Sequence, residues 1–376
     1  MTKKMNLTNK LYQDFVVDKI IKSNLESYSS YPLVIELDPT AVCDLACPGC
    51  ISEDLVSIGN SFSNEKLMEM GHEFIDCGVK AVILIGGGEP LAHPKIGELI
   101  TLLGENGIHI GITTNGSYIK RHIHAISEYS TWTRVSVDAS SNRMFKILRP
   151  TKGGKSKFDK IIKDMKALSK TKKGKLGFSF LIQTEADGPG ISSNVHEIYS
   201  AAVLAKSIGC DYFEVKPTYQ FRDNAIHKLM KHDPKLMDEA KKQIELLENI
   251  SDENFKIFQA INMQFSLNGI DIKQPKSYKK CPSTFLRTTI APSGAFICPY
   301  WRGKEDYKIG DLNSTSFKEM WNGQKRKNVI ENTNISSHCS EIHCLRHDTN
   351  NVSIKIRDDV AKGLKISTRD EFDRFI

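Results

Sequence analysis

The chain has 376 residues, of which 40% are hydrophobic and 26% charged, and its formal net charge is +7. This length predicts one large domain with a smaller one, because single hydrophobic cores seldom grow far beyond about 250–300 residues. The sequence has neither an apolar run long enough to span a bilayer nor an N-terminal apolar signal core, so it predicts a cytoplasmic protein without a membrane partner. The nine cysteines are then expected in a reducing compartment, where clustered thiols favour metal or redox chemistry over disulfides.

The lysines do not favour a nucleic-acid partner. They are mixed with acidic residues on predicted helix faces, and no basic strip interleaved with aromatic residues is present. The positive net charge permits an anionic partner without requiring one.

Alternating apolar and amphipathic segments predict the fold. Residues 1–31 are predicted to form a short polar helix and a linker. Predicted strands then cover residues 33–37, 81–85, 109–113, 134–138, 178–182 and 212–215. Predicted helices between them cover residues 64–77, 95–106, 118–129, 158–169 and 195–208. Six alternations predict an α/β fold whose parallel sheet curls into a partial or complete barrel.

Three cysteines follow the first predicted strand with the spacing C-x3-C-x2-C: Cys43, Cys47 and Cys50. This spacing would also line one face of a helix, which leaves three buried structural thiols as an alternative. Pro48 and Gly49 disfavour a helix, because proline removes a backbone donor and glycine costs about 1 kcal/mol. We therefore interpret the segment as a loop folded around a metal.

The number of thiols bears on the kind of metal. A structural zinc site needs four ligands, and the next candidates along the chain are His72 and Cys77. Three thiolates in one loop instead suit a 4Fe–4S cluster whose fourth iron is open. The sequence thus favours an iron–sulfur cluster.

The spacing and its place after the first strand resemble the cluster-binding loop of the radical S-adenosylmethionine (radical SAM) superfamily. The resemblance covers residues 32–218. It implies a partial (β/α)6 TIM-like barrel, SAM as a cofactor, and a SAM-binding 4Fe–4S cluster on Cys43, Cys47 and Cys50. One position departs from the family, because Gly49 stands where an aromatic residue is usual. Other groups are therefore expected to hold the adenine.

A glycine-rich turn, Gly86-Gly87-Gly88-Glu89-Pro90, follows the second predicted strand. Glycine lets a backbone approach a ligand closely, and a carboxylate can pair with an ammonium group. A purely structural turn is the alternative. In its position after the second strand, the segment resembles the family's Gly-Gly-Glu motif, which holds the amino group of SAM. The resemblance assigns this role to Gly87, Gly88 and Glu89.

Further polar residues fall at the predicted carboxyl ends of the strands, where the chemistry of parallel barrels gathers. Asn115, Ser136 and Asp138 are predicted to hydrogen-bond ribose hydroxyls or a carboxylate of SAM, as equivalent positions do in the family. Asn115 with Gly116 also suits a simple turn. Lys216, after the sixth strand, is expected to face SAM or substrate.

A second group of cysteines lies in the C-terminal part: Cys281, Cys298, Cys339 and Cys344. Between the first two, β-rich runs around Pro-Ser-Gly predict a hairpin, which brings its ends together. The arrangement resembles the auxiliary-cluster modules of many radical SAM enzymes, called SPASM or, in the shorter single-cluster version, twitch. Four cysteines match twitch better than the seven-cysteine form, and they imply a second 4Fe–4S cluster. Zinc, with His343 or His347 as substitute ligands, and free thiols are the alternatives.

The predicted domain organisation follows from these assignments. A connecting region with a helix over 234–249 and a strand-like run over 255–261 separates the barrel from the cysteine module. The predicted units are residues 1–31 (helix and linker), 32–218 (barrel), 219–280 (connection), 281–350 (auxiliary cluster module) and 351–376 (tail).

The resemblance implies an enzyme that reductively cleaves SAM to a 5′-deoxyadenosyl radical, which abstracts hydrogen from an unactivated C–H bond. It also implies an external electron donor of the flavodoxin or ferredoxin type. Four thiolates would leave the auxiliary cluster no open iron, so its expected role is electron transfer. The resemblance to twitch-bearing enzymes implies dehydrogenation or epimerisation of a sugar or aminocyclitol, while related enzymes modify ribosomally made peptides. Residues 1–31 are too few for a leader-peptide-binding domain, so we predict a small polar substrate.

Two other functions remain open. One is a radical SAM maturase that modifies a ribosomally made peptide. The other, from a different class, is a non-catalytic iron–sulfur or zinc protein that senses redox state or serves as a scaffold. The second would leave the glycine-rich turn at residues 86–89 without a role.

Overall fold

The computed structural model describes residues 3–4, 7–23, 30–222, 226–229, 231–260, 262–269, 274–340, 342–370 and 372–376. Its strands are β1 (Lys3–Lys4), β2 (Val34–Leu37), β3 (Ala81–Leu84), β4 (His109–Thr114), β5 (Ser130–Ser136), β6 (Lys175–Ile182), β7 (Tyr212–Pro217), β8 (Tyr219–Arg222), β9 (Ile226–Leu229), β10 (Lys256–Gln259), β11 (Arg287–Ala291), β12 (Gly294–Phe296) and β13 (Lys308–Gly310). Part of the predicted linker, residues 27–29, lies outside the described residues.

The helices alternate with the strands through the first two thirds of the chain and then dominate it. They are α1 (Asp14–Lys22), α2 (Glu53–Ile58), α3 (Asn64–Asp76), α4 (Ile96–Glu105), α5 (Ile123–Tyr129), α6 (Asn142–Leu148), α7 (Phe158–Ser169), α8 (Ile198–Ile208), α9 (Pro234–Leu246), α10 (Met263–Leu267), α11 (Ser283–Leu286), α12 (Phe317–Asn322), α13 (Gln324–Asn332), α14 (Ile335–His338) and α15 (His347–Ala361). None of these helices has the length and apolarity needed to cross a membrane.

Six parallel strands form the centre of the main sheet. From β2 to β7 they are neighbours in chain order, and each pairs in parallel with the next. At least one helix lies between successive strands. This arrangement confirms the predicted α/β partial barrel.

The sheet continues on both sides of the six central strands. Next to β7, β10 and then β1 add in parallel. On the other side β11 pairs in parallel with β2, with Thr289 opposite Glu36, and β12 and β13 follow in antiparallel order. The hairpin predicted between Cys281 and Cys298 is therefore formed by β11 and β12, and it belongs to the same sheet as the barrel.

The outer face of the sheet packs against the helices. Side chains alternate across a strand, and every second one is apolar and fully buried here. Examples with no exposed surface are Leu37, Leu84, Ile112, Phe178 and Phe213. They form one cluster with helix residues such as Phe74 of α3, Leu99 of α4 and Ile161 of α7.

The inner face is more polar, and two glycines make room on it for large rings. A Cβ at Gly111 would lie 2.2 Å from Trp132, and a Cβ at Gly177 would lie 2.0 Å from Tyr212. Trp132 in turn contacts Phe375, with ring centroids 5.3 Å apart. An aromatic layer thus fills the inner face toward the amino ends of the strands.

Helix α1 is amphipathic, so the prediction of a polar N-terminal helix was wrong. Val16, Val17 and Ile20 are buried in one cluster with Ile356 of α15 and with Phe375. Helix α15 lies across residues predicted to form the end of the module and the tail. Together these segments cover the amino ends of the strands and leave the carboxyl ends open for the site.

Candidate active site

The cysteine loop lies at the carboxyl end of β2. Residues 41–52 contain no helix, as Pro48 and Gly49 predict, and Gly49 adopts φ +67°, a left-handed conformation that favours glycine. Leu45 is 2% exposed and forms a β-bridge with Thr151. A buried apolar side chain thus fixes the middle of the loop, while its three cysteines remain half-buried.

The loop thiols influence one another. Burial raises the pKa of Cys43 to about 11 and raises that of Cys47, and neighbouring thiols add to both shifts. Two N–H donors lie beside the sulfurs: Asn115 Nδ2 is 3.7 Å from Cys43 Sγ, and Arg149 Nη1 is 4.0 Å from Cys47 Sγ. Close thiols with N–H donors to sulfur fit a thiolate-ligated cluster, whose binding would release the thiol protons.

The glycine-rich turn packs directly against this loop. A Cβ at Gly88 would lie 2.4 Å from the backbone carbon of Ala41, so only glycine fits there without moving the backbone. The amide of Glu89 donates to the carbonyl of Val42 at 2.9 Å. Gly87 precedes this contact and lies beside the carboxylate of Asp38, since a Cβ at Gly87 would be 3.4 Å from Asp38 Oδ2. The structure therefore brings the predicted Gly-Gly-Glu segment and the cysteine loop together.

Glu89 is a buried carboxylate without a cationic partner in the described part of the chain. It is 1% exposed and accepts hydrogen bonds from the amides of Leu91 (3.0 Å) and Asn115 (2.7 Å) and from the hydroxyl of Thr114 (2.6 Å). These use three of its roughly four acceptor positions. Burial raises the pKa of Glu89 to about 7 despite these bonds. A cationic ligand would therefore stabilise its charged form.

Asn115 acts on the cysteine loop. Its amide nitrogen donates to Asp44 Oδ1 at 3.0 Å, besides the contact with Cys43. The other oxygen of Asp44 pairs with Lys157 at 2.5 Å. Asn115 also accepts from the amide of Ser117, the local bond expected of a turn. Its side chain is thus committed to protein partners that hold the loop.

Asp138 is also committed to a protein partner. Its backbone adopts φ 60°, a sparsely populated conformation for a residue other than glycine, and it lies past the end of β5. One carboxylate oxygen accepts from the Arg149 guanidinium at 2.8 Å, and the other accepts from the amide of Leu181, also at 2.8 Å. Arg149 then reaches Cys47. Ser136 differs, because it is half-buried and lies on the inner face opposite Ser179.

Three side chains that contact this site were missed by the sequence analysis: Arg149, Lys157 and Arg302. Arg302, which follows Cys298 closely, donates to Asp38 Oδ2 at 2.7 Å and to the Ser52 hydroxyl at 2.8 Å. Asp38 follows β2, and Ser52 lies just after the cysteine loop. No local pattern marks any of the three, because their partners are more than ten residues away.

Four C-terminal thiols lie near one another in the fold: Cys281, Cys298, Cys339 and Cys344. The charge of Cys344 raises the pKa of each of the other three. Burial is the largest cause, and it raises the pKa of Cys281 to about 12. Asn350 Nδ2 lies 3.3 Å from Cys281 Sγ, and the Arg346 amide lies 3.4 Å from Cys344 Sγ. The fold therefore assembles a second set of thiols with N–H donors beside them, as a cluster site requires.

The histidines proposed as alternative zinc ligands have other partners. His343 Nδ1 lies 3.5 Å from the Tyr219 hydroxyl, and His347 Nδ1 lies 3.2 Å from the Tyr278 hydroxyl. His72 is exposed on α3, and Cys77 ends that helix near the amino end of β3, opposite the cysteine loop. Among the described residues, no three His, Cys, Asp or Glu side chains converge closely enough to hold a single metal ion.

Comparison with known families agrees with this organisation. Residues 37–188 match the family model of the radical SAM superfamily, and residues 281–345 match the SPASM model, described as an iron–sulfur cluster-binding domain. The chain belongs to the radical SAM superfamily and carries a SPASM domain.

The relatives differ in their named reactions. A GTP 3′,8-cyclase of Synechocystis sp. is 29% identical over 33% of this chain and 39% of its own length. An AdoMet-dependent heme synthase of Methanosarcina barkeri is 24% identical over 49% of this chain and 50% of its own length. The chain thus spans half or less of the length of these relatives.

Solved structures extend the likeness over most of the chain. Streptococcus suis SuiB bound to S-adenosylmethionine matches with a TM-score of 0.58 and 17% identity. The aligned region covers 85% of this chain and 72% of the SuiB chain. SuiB bound to the precursor peptide SuiA has a TM-score of 0.59 and 17% identity, over 91% and 76%. The structure of anSMEcpe with bound AdoMet has a TM-score of 0.55 and 15% identity, over 89% and 100%. At these identities the likeness concerns the fold.

Membership of this class defines the cofactors. The radical SAM and SPASM domains give the chain SAM and 4Fe–4S clusters as cofactors. Enzymes of this class need an electron donor.

Proposed function

We propose that the chain cleaves SAM reductively and that the resulting 5′-deoxyadenosyl radical abstracts hydrogen from an unactivated C–H bond of a substrate on the inner face of the sheet. The observation that carries this proposal is the buried carboxylate of Glu89, which abuts the cysteine loop without a cationic partner among the described residues. The ammonium group of SAM would supply the missing positive charge beside the loop thiols.

Cys43, Cys47 and Cys50 would hold the SAM-binding cluster. When bound, this cluster supplies a low-potential electron and an open iron for SAM. The chain's own residues position the parts: Asn115 and Arg149 direct N–H groups toward sulfur. Gly87 and Gly88 belong to the turn that packs against the loop and carries Glu89.

The other residues predicted to bind SAM would divide into two roles. Ser136, half-buried on the inner face, would donate or accept a hydrogen bond with a ligand directly. Asp138 would act through Arg149, which it holds beside Cys47. Asn115 would act through Asp44 and Cys43. Positioning roles fit Asp138 and Asn115, because the hydrogen-bonding groups of both side chains already bind protein partners.

Adenine recognition would use an aliphatic surface in place of an aromatic ring. Ile191 Cδ1 lies 3.0 Å from the place where a Cβ of Gly49 would stand, and Ile191 is 4% exposed. The side chain therefore occupies the space that a larger residue at position 49 would fill. Apolar contact with Ile191 would orient the base by dispersion and by exclusion of water.

The C-terminal thiols would hold an auxiliary 4Fe–4S cluster that exchanges electrons with the substrate. Four thiols would saturate its irons, which leaves electron transfer as its role. The donors at Asn350 and Arg346 would tune its potential, because hydrogen bonds to sulfur stabilise the reduced cluster.

The first candidate reaction is dehydrogenation or epimerisation of a small sugar or aminocyclitol, as the sequence predicts. Peptide modification is the second candidate, and the structural likeness to SuiB bound to its precursor peptide favours it. Both substrates would be held on the inner face, where the radical forms near the cysteine loop.

Anaerobic reconstitution with iron and sulfide tests the proposal. Two 4Fe–4S clusters correspond to about eight irons per chain, and dithionite with SAM should release 5′-deoxyadenosine, measured by liquid chromatography. Bound zinc, or no cleavage by a fully loaded protein, would contradict it.

The role of Glu89 has a sharper test in Glu89→Gln. The substitution removes the charge at nearly constant size, so SAM affinity should fall about 10- to 100-fold, the usual worth of a hydrogen bond to a charged group. Equilibrium dialysis with the loaded protein measures this affinity. Glu98→Gln removes an exposed charge on α4 and should leave the affinity unchanged. Equal affinities in the two variants would remove Glu89 from the site.

A further inference from the structure

A cationic site lies on the inner face, near the carboxyl ends of β5 and β7. Arg134, Glu214 and Lys216 occupy inner-face positions, since they alternate with buried outer-face residues such as Val135 and Val215. Arg134 and Lys216 are 23% and 24% exposed in their side chains. This part of the inner face is therefore open to a ligand.

Charges at this site do not balance. Glu214 is 3% exposed, and its Oε2 lies 2.9 Å from Arg134 Nη1 and 3.8 Å from Lys216 Nζ. One carboxylate thus faces two cations. The neighbouring guanidinium of Arg149 is already paired with Asp138. Among the residues that the structure describes here, one positive charge is left over, and it lies at Lys216.

Lys216 is the less well paired of the two cations. Arg134 forms a hydrogen bond of normal length with Glu214, whereas the 3.8 Å ion pair of Lys216 is longer than an N–H···O hydrogen bond, about 2.7–3.2 Å. Burial, and then the charge of Arg134, lower the pKa of Lys216 to about 8. The ammonium group is therefore still charged at pH 7, but the carboxylates of Glu214 and Asp138 stabilise that charge less than burial and Arg134 disfavour it.

Lys216 is also close to the proposed SAM site. The charges of Asp138 and Arg149 both act on its pKa, and Arg149 contacts Cys47. A group bound to Lys216 would thus lie on the side of the inner face that the cysteine loop occupies.

We propose that Lys216 binds a carboxylate group of the substrate and so fixes which C–H bond faces the radical. The inference rests on the proposed function, because it assigns a role to Lys216 within that substrate site. A single carboxylate would restore the charge balance, whereas a phosphate dianion would leave an excess negative charge beside Glu214. The carboxylate could belong to an acidic residue of a peptide or to a sugar acid.

The test follows the ammonium group itself in the loaded, SAM-bound protein without reductant. Reductive ¹³C-methylation of lysines keeps their charge and gives each an NMR signal. Lys216→Arg removes one signal while it keeps the positive charge, which assigns that signal. Acetate should shift it saturably, with a dissociation constant at least about tenfold below that of acetamide at equal ionic strength.

Lys163, an exposed lysine on α7, provides the matched control and is assigned through Lys163→Arg. Its signal should respond equally to acetate and acetamide. Equal responses at Lys216 would overturn the proposal, as would an acetate effect that is lost once SAM is bound, since SAM's own carboxylate would then occupy the lysine. An acidic tripeptide, Ac-Gly-Glu-Gly-NH2, and glucuronate then compete with acetate, and the one effective at lower concentration identifies the source of the carboxylate.

The experiment separates this inference from the proposed function. Binding at Lys216 is measured without SAM cleavage, and 5′-deoxyadenosine is measured separately on the same preparation. Normal cleavage without carboxylate selectivity would refute the inference alone. Selectivity without cleavage would refute the proposed function alone.

Discussion

The two sets of thiols are built in opposite ways. The loop set comes from one eight-residue segment that is fixed locally by Leu45 and Gly49. The C-terminal set comes from positions 281 to 344 and needs the hairpin β11–β12 and the starts and ends of three helices to bring it together. The first set is a motif that a short sequence can specify, and the second is a product of the tertiary structure. Removing a thiol from each set should therefore have different effects.

The largest effect is expected for Cys43→Ala. Three thiols are the minimum that leaves one iron open, so the variant should lose about four of about eight irons and release no 5′-deoxyadenosine above background. Iron analysis and chromatography measure both.

Cys77→Ala is the matched control, because Cys77 lies at the end of α3, outside both sets. This variant should retain the iron content and the rate of SAM cleavage of the wild-type protein. Cleavage at wild-type rate by Cys43→Ala would show that the loop does not hold the catalytic cluster.

A different loss is expected for Cys344→Ala. The auxiliary cluster should be lost, again about four irons, but SAM cleavage should continue without product because the loop set is intact. Electron paramagnetic resonance of the reduced protein should show one cluster signal in place of two.

The comparison would fail if Cys344→Ala abolished SAM cleavage as completely as Cys43→Ala. The same measurements on Cys339→Ala guard against a folding defect confined to one position. Agreement between the two C-terminal variants would assign the effect to the cluster they share.

The smallest effect on chemistry, and a measurable one on stability, is expected for Arg302→Met. This arginine joins the two regions by its bonds to Asp38 and Ser52, and Asp38 is 1% exposed. Because one partner of a buried ion pair is lost, the free energy of unfolding should fall by about 3 kcal/mol. Denaturant unfolding measures this change.

The loss should depend on pH. Burial raises the pKa of Asp38 to about 6 even with Arg302 present. The folded state therefore loses stability as pH rises from about 4 through 6, because Asp38 must then ionise where its charge is disfavoured. Without Arg302 that cost grows, so the deficit should be larger at pH 8 than at pH 5. Arg143→Met, at an exposed position, should change stability by less than about 0.5 kcal/mol at both values.

The sequence predicted the central fold and the segments of the site, because both depend on local patterns. Strand and helix periodicity located the six parallel strands, and α7 begins and ends at the residues predicted. The cysteine spacing and the glycine-rich turn lie where the strands end, and the structure places them in contact.

What the sequence could not give are contacts between distant segments. Strand β5 begins at Ser130, earlier than predicted, and ends before Asp138, so this carboxylate follows the strand and turns toward Arg149. Arg149 follows α6, a helix that was not predicted. The same applies to Arg302, whose partners are about 250 residues away in the chain. Direct ligand contacts predicted for Asn115 and Asp138 remain predictions, since protein groups occupy these side chains in the structure.

The pairing of β11 with β2 has a consequence for dissecting the protein. The boundaries predicted at residues 218 and 281 would divide the chain into a barrel and a module, yet this division cuts through hydrogen bonds in the middle of one sheet. A fragment ending at residue 218 would expose the edge of β2, and unpaired strand edges promote association between chains. We expect such a fragment to aggregate, and the barrel and the module to unfold together as a single cooperative unit.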